Sequence, residues 1–161
     1  MPIRNIDLAE VPAAHPVAVF HGFWMEAAKG GAWAPWASFD AAQHPAILPW
    51  VLLLKRETPA AEDGPPAWRY GVCGTGCTEL FGFSYQGKLF GENLPPDAVA
   101  QRMAEFDRAV GGQGAQFSHT DLPIPGKDFV AVFRGVFPFA TGTAGVNRLF
   151  VVLARDDARA D

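Results

Sequence analysis

The sequence predicts an α+β fold: a five-stranded antiparallel sheet with helices on one face and an N-terminal flanking helix. Three observations predict it. Five apolar runs have strand length, two before residue 74 and three after residue 115. A helical stretch separates the pair from the trio, so one sheet must collect both groups with helices laid over it. A helix with its own start and stop signals stands ahead of them all.

Pro16 opens that first helix, at the position where its missing N–H costs nothing. Phe20, Trp24 and Ala28 share one face with Val17 and His21 beside it, and Gly30-Gly31 ends the helix. Residues 1–15 read as an N-terminal extension and 16–31 as the flanking helix. Trp33 to Phe39 is an irregular aromatic loop, after which Asp40 can cap a short helix from Ala41 to Ile47 despite Pro45. Trp50 to Lys55 is a continuous apolar run ending in charge, the pattern of a strand buried on both faces. Thr58 to Pro66, rich in Pro, Gly, Ala and acid, reads as an exposed loop. Trp68 to Cys73 alternates and completes a hairpin.

Thr75 to Phe81 is a short helix stopped by Gly82, and Gly74-Thr75-Gly76 supplies the tight turn into it. Gly87, Gly91, Pro95 and Pro96 break the chain into turns. Pro96 then starts a helix running to Val110, with Val99, Met103, Phe106 and Val110 as its apolar stripe. Strands follow over Gln116 to Leu122, Phe129 to Phe139 and Val146 to Ala154. Residues 32–154 form the main domain, and 155–161 is a charged tail that frays. Hairpin, helical excursion and three-stranded meander in that order resemble the PAS arrangement. The excursion leaves a hollow over the sheet, and a ligand would sit there.

The balance of residues narrows the function. The chain has 161 residues, is 49% hydrophobic and carries a formal charge of -4. That suits one domain with a sizeable core. Mild acidity, with no basic cluster longer than Lys55-Arg56, argues against nucleic acid and against a polybasic membrane anchor. No run approaches the roughly 18 to 20 apolar residues of a membrane span, and residues 1–10 lack the apolar core of a signal peptide. A cytoplasmic protein is expected. Cys73 and Cys77 read as ordinary small buried residues, since the cytosol keeps thiols reduced.

Gly22-Phe23-Trp24, Pro35 to Asp40, Leu48-Pro49, Trp68-Arg69-Tyr70, Gly74-Thr75, Glu79-Leu80-Phe81-Gly82 and Tyr85-Gln86-Gly87-Lys88 follow one another in order. Together they resemble a bacterial PAS-domain family whose members open with an aromatic-Trp helix. The resemblance spans residues 17 to 154. It implies a sensory or signalling fold and no shared catalytic set.

Cofactor chemistry finds few of the residues it needs. His15, His21, His44 and His119 are scattered, and two cysteines cannot fill a zinc site. The resemblance would place a haem ligand on the 96–110 helix, which has no His. A photoactive flavin site would carry an Asn-Cys-Arg-Phe run, which is absent. Ser38, Ser84 and Ser118 lack a nucleophile-elbow context, and Gly74-Thr75-Gly76 is no phosphate loop. No cofactor, no metal and no enzymatic activity are expected.

What remains is non-covalent binding of a small, partly apolar ligand. The residues that would line its site are Phe81, Phe90, Met103, Phe106, Phe117, His119, Phe133 and Arg134. Alternation along the long strand puts Phe129, Ala131, Phe133, Gly135 and Phe137 on one face and Val130, Val132, Arg134 and Val136 on the other. Arg134 in so apolar a strand must be paired or solvated. Glu26 or Asp40 could meet it, or it could grip a ligand carboxylate. Phe20 and Trp24 form a face apolar enough for a homodimer interface. The expected partners are a small molecule, a second copy of the chain and a signalling protein. The alternative is a structural homodimerisation domain with no ligand.

Overall fold

A computed structural model describes residues 3–57, 67–127, 129–143 and 145–160. The Thr58 to Pro66 loop lies outside the described residues. Seven strands form one sheet: β1 (Arg4–Asn5), β2 (Ala34–Pro35), β3 (Val51–Glu57), β4 (Ala67–Cys73), β5 (Gln116–Asp121), β6 (Ala131–Ala140) and β7 (Val146–Arg155). Their order is β1-β5-β6-β7-β3-β4, antiparallel throughout, with β2 parallel to the end of β6. The architecture is α+β with a mostly antiparallel sheet. The five long strands fall within about two residues of the runs read from the sequence.

Three helices cover the sheet: α1 (Pro16–Ala28), α2 (Thr75–Phe81) and α3 (Pro96–Arg108). α1 starts from His15, whose Nδ1 accepts a hydrogen bond from the Val17 N–H at 3.1 Å, and stops at Lys29 in the left-handed conformation. Gly74 is required by a close approach. A Cβ there would stand 2.4 Å from the carbonyl oxygens of Leu48 and Pro49.

Four expectations change. The sheet has two extra short strands, because residues 3–15 and the aromatic loop each lend two residues to its edges. A two-residue strand carries no periodicity to read. Asp40 does cap a turn, its Oδ1 accepting from the Ala42 N–H at 3.0 Å, but 41–47 closes only as a short 3-10 turn over Ala41–Gln43. Pro45 and Pro49 keep a longer helix from forming. The tail does not fray at once, since the Ala160 N–H donates to the Ala14 carbonyl at 2.7 Å.

The fourth concerns the flanking helix. The helices lie on both faces of the sheet. α1 packs on the face that carries Val51, Leu53, Phe133, Phe137, Phe139, Phe150 and Val152. α2 and α3 pack on the opposite face, over Leu52, Leu54, Tyr70, Val132, Val136, Val151 and Leu153. Phe20 is 1% exposed and Trp24 is buried as well, its indole N–H donating to the Pro138 carbonyl at 3.0 Å. Their apolar face meets the chain's own sheet. It has no surface left for a dimer.

Candidate functional site

β6 runs through the middle of the sheet and sends alternate side chains to alternate faces. Val132, Arg134 and Val136 point under α3, while Phe133 and Phe137 point under α1. Arg134 therefore enters the space between α3 and the sheet, where it is buried. Its Nη1 donates to Glu105 Oε1 at 2.5 Å and to Ser118 Oγ at 3.1 Å. Ser118 stands opposite Arg134 in the β5–β6 register, so cross-strand pairing delivers the hydroxyl to the same face. Glu105 comes from the inner side of α3 and is fully buried, and its second oxygen, Oε2, has no hydrogen-bond partner. The expected partners Glu26 and Asp40 are not the ones used.

Beside this pair lies a cavity between α3, α2 and the sheet. Leu52, Leu54, Tyr70, Phe81, Tyr85, Phe90, Arg102, Phe106, Arg134 and Val151 are among its walls. It leaves about 40 Å³ for the centres of water-sized spheres, enough for about three waters. Aromatic contacts set its shape. Tyr70 stacks on Tyr85 at 5.0 Å, Phe81 meets Tyr85 edge-on at 5.1 Å, and Phe90 meets Phe106 edge-on at 4.9 Å. Residues 87–90 are held there by backbone bonds to the free side of β4, including Gly87 N–H to Tyr70 O at 2.8 Å. Arg69 ties down the same stretch from outside, through Glu57 and the Gly87 carbonyl.

The electrostatics of the cavity are unusual for an apolar space. Arg102 is 6% exposed and, among the described residues, makes no hydrogen bond or ion pair. Burial, and then the nearby Arg134 charge, pull its pKa down to about 10, with Glu105 opposing them. It stays a cation at neutral pH. Burial pushes the Tyr70 and Tyr85 phenols up, so both remain protonated donors.

Of the eight residues proposed for ligand contact, Phe81, Phe90, Phe106 and Arg134 line the cavity. Met103 packs at the edge of the same core without reaching the cavity wall. Phe117, His119 and Phe133 lie on the α1 face. His119 pairs with Phe133 across β5–β6, their rings 4.9 Å apart, and Phe117 meets Phe137 edge-on. The reason is parity: neighbours on a strand point to opposite faces, so Phe133 and Arg134 cannot enter one hollow.

His119 Nε2 lies 3.3 Å from Asp156 Oδ2 at the half-exposed sheet margin. Neither ring nitrogen bonds a Ser, Thr or Cys among the described residues, so no nucleophile accompanies the pair. Arg148 lies over the Trp36 ring at 5.1 Å, also on the α1 face. Cys77 is buried, its thiol pushed up by burial, and Cys73 Sγ lies 3.4 Å from Thr78 Oγ1. Both are free thiols. No group of three or more His, Cys, Asp and Glu among the described residues could hold a metal. No described helix is long and apolar enough to cross a membrane.

Comparison with family models, with curated proteins and with solved structures finds no match to the chain. What the site does rests on its own geometry.

Sequence reasoning missed Tyr70, Tyr85, Arg102, Glu105 and Ser118. On α3 it followed the apolar residues Val99, Met103, Phe106 and Val110, whereas the buried face is Ala98, Arg102, Glu105 and Phe106, continuing to Ala109. That face carries Glu105 to Arg134. Ala98, Arg102 and Phe106 at i, i+4 and i+8 were the available signal. A charge between two apolar residues at helical spacing was the mark of it.

Proposed function

We propose that the chain is a cytoplasmic PAS-type sensory module that binds a small, partly apolar ligand without covalent chemistry and passes the signal on through protein contacts. The single observation that supports this most is the apolar cavity under α3, walled by aromatic rings and holding buried charge at one end. The strand order agrees with that reading. Leaving aside the short β1 and β2, β4-β3-β7-β6-β5 is a hairpin joined to a meander, with α2 and α3 inserted between them. Such an order puts the inserted helices over the sheet, and a ligand would lie between the two layers. Occupancy would shift α3 relative to β5 and β6, and the shift is available to a partner.

Thermal shift against a metabolite panel, with native mass spectrometry of the protein as purified, tests the reading. At least one compound should raise the melting temperature and travel with the protein as a one-to-one adduct. A panel with neither effect removes the ligand.

A homodimerisation domain without a ligand is the second reading, and Val19, Met25 and Trp33 favour it. These are exposed apolar side chains on or just after α1. Sedimentation velocity should then show a dimer that Met25→Glu dissociates. A monomer at all concentrations ends that reading.

A further inference from the structure

The cavity wall holds two cations, Arg102 and Arg134. Arg134 is already matched, by Glu105 and Ser118. Arg102 is not: it is 6% exposed, lines the cavity and has no hydrogen-bonding or ion-pairing partner among the described residues. Its nitrogens keep some contact with solvent, since none is among the fully buried unpartnered atoms, and an acceptor with one negative charge would replace that water and match the cation. Around it the wall is apolar, with Leu54, Tyr70, Phe106 and Val151 in reach of the same space. Room for about three waters corresponds to a molecule of only a few heavy atoms.

We infer that the cavity takes a small monoanionic carboxylate with an aliphatic body, about two to four carbons long, its carboxylate gripped by Arg102 and its chain laid against Leu54 and Phe106. The assignment rests on the ligand-binding reading above and names the class of ligand. One negative charge is what the wall can match. A dicarboxylate would bring a second negative charge that Arg134, already matched by Glu105, is not free to take, and an amine would add to two arginines. The phenols of Tyr70 and Tyr85, kept protonated by burial, border the same space and can donate to a carboxylate oxygen. The guanidinium fork suits a carboxylate in a bidentate grip, so lysine is a poor substitute.

The test is titration of the full chain with butyrate and with its neutral isostere butyramide, followed by thermal shift and by amide chemical shifts in NMR. Butyrate should bind at least roughly tenfold tighter than butyramide, and its shifts should centre on α3 and β6. Arg102→Met should lose butyrate binding with the circular dichroism spectrum unchanged. Arg102→Lys should recover only part of it. Equal binding of butyrate and butyramide overturns the assignment on the unaltered protein, whatever the variants do. So does an Arg102→Met protein that binds butyrate as before. If neither four-carbon compound binds while a neutral compound from the metabolite panel does, the carboxylate assignment fails and the ligand reading stands. If nothing binds at all, both fall.

Discussion

The two faces of this sheet are closed in opposite ways. Under α1, Phe20 sits among the rings of Phe137, Phe150 and Phe139 at 5.0, 5.5 and 6.4 Å, and Phe139 meets Phe150 at 86°. Its buried polar groups include the Trp24 indole and the His15 ring, both hydrogen-bonded to backbone, and His44 Nε2 and Arg148 Nε, which have no hydrogen-bond partner. Under α3 the same sheet carries a cavity, a buried ion pair, an arginine with no hydrogen-bond partner among the described residues and a carboxylate oxygen without one. One strand serves both, since β6 sends Phe133 and Phe137 one way and Val132 and Arg134 the other. Close packing on one side holds the sheet in shape while the other side keeps polar groups away from water at a cost in stability. Unpartnered buried nitrogens occur on the α1 face as well, so what argues for binding on the α3 face is the apolar cavity beside its buried charges.

The contrast can be broken first at Phe20. Truncation to Ala in a solid aromatic face should cost about 3–5 kcal/mol, lowering the melting temperature by about ten degrees for a chain of this size. Differential scanning calorimetry measures it, and a loss below about 1 kcal/mol would mean that the α1 face is looser than its rings suggest. On the other face the largest effect should come from Glu105→Gln. Removing the carboxylate leaves Arg134 and Arg102 as facing buried cations, a loss of about 3 kcal/mol. Adding Arg134→Met to that variant should recover most of the loss, because the pair is then replaced and not broken. If the double variant is no better than the single one, the ion pair is not what Glu105 is there for.

How far these faces could be read in advance differs between them. The strands and the three helices announced themselves by period and by Pro and Gly punctuation: Pro16 and Pro96 at helix starts, Gly82 at a helix end. Alternation in 129–137 also gave the two faces of β6 correctly. What could not be read was which face each helix would cover. Phe20 and Trp24 look the same in sequence whether they meet the chain's own sheet or a second copy. The site suffered from a related ambiguity. Arg102 and Glu105, three apart on a helix, read as a solvated surface pair. Only the tertiary position of Arg134 makes the inside their more favourable place. Tyr70 and Tyr85 came together because residues 87–90 pair with the edge of β4, a contact with no local signature.

A smaller effect separates the faces by pH. His15 caps α1 through Nδ1, which accepts from Val17 N–H, so its proton sits on Nε2 and faces the carbonyls of Ala154 and Arg155 at 3.3 and 2.9 Å. Protonating Nδ1 would end the cap. Burial holds the imidazole below its ordinary pKa. The folded value lies under the unfolded one, so the stabilisation is complete above about pH 6.5 and is lost as the pH falls through the folded value. A cap of this kind contributes about 1 kcal/mol. The melting temperature should fall as the pH drops below about 6.5. His15→Asn, which can cap but does not titrate, should flatten part of that fall, with His21 and His44 supplying the remainder, since burial lowers them too. An unchanged pH profile in His15→Asn would remove His15 from the account.

The smallest effect is the sharpest comparison, because it makes the same change on both faces. Val132 lines the cavity and Val152 lies in the packed α1 face, and both are fully buried in central strands. Each Val→Ile substitution adds one methylene. At 132 the extra carbon has the cavity to enter, so the gain from burying it, about 0.8 kcal/mol, is realised as added stability. At 152 it has only neighbouring side chains to push against, and overpacking costs about 1 kcal/mol or more. The two variants should therefore move the denaturation midpoint in opposite directions with unchanged slope. Val132→Ile should also weaken any ligand in the hollow, since it occupies the same space. If both variants destabilise alike, the space under α3 is not available to a carbon atom, and a ligand there would need the helix to move first.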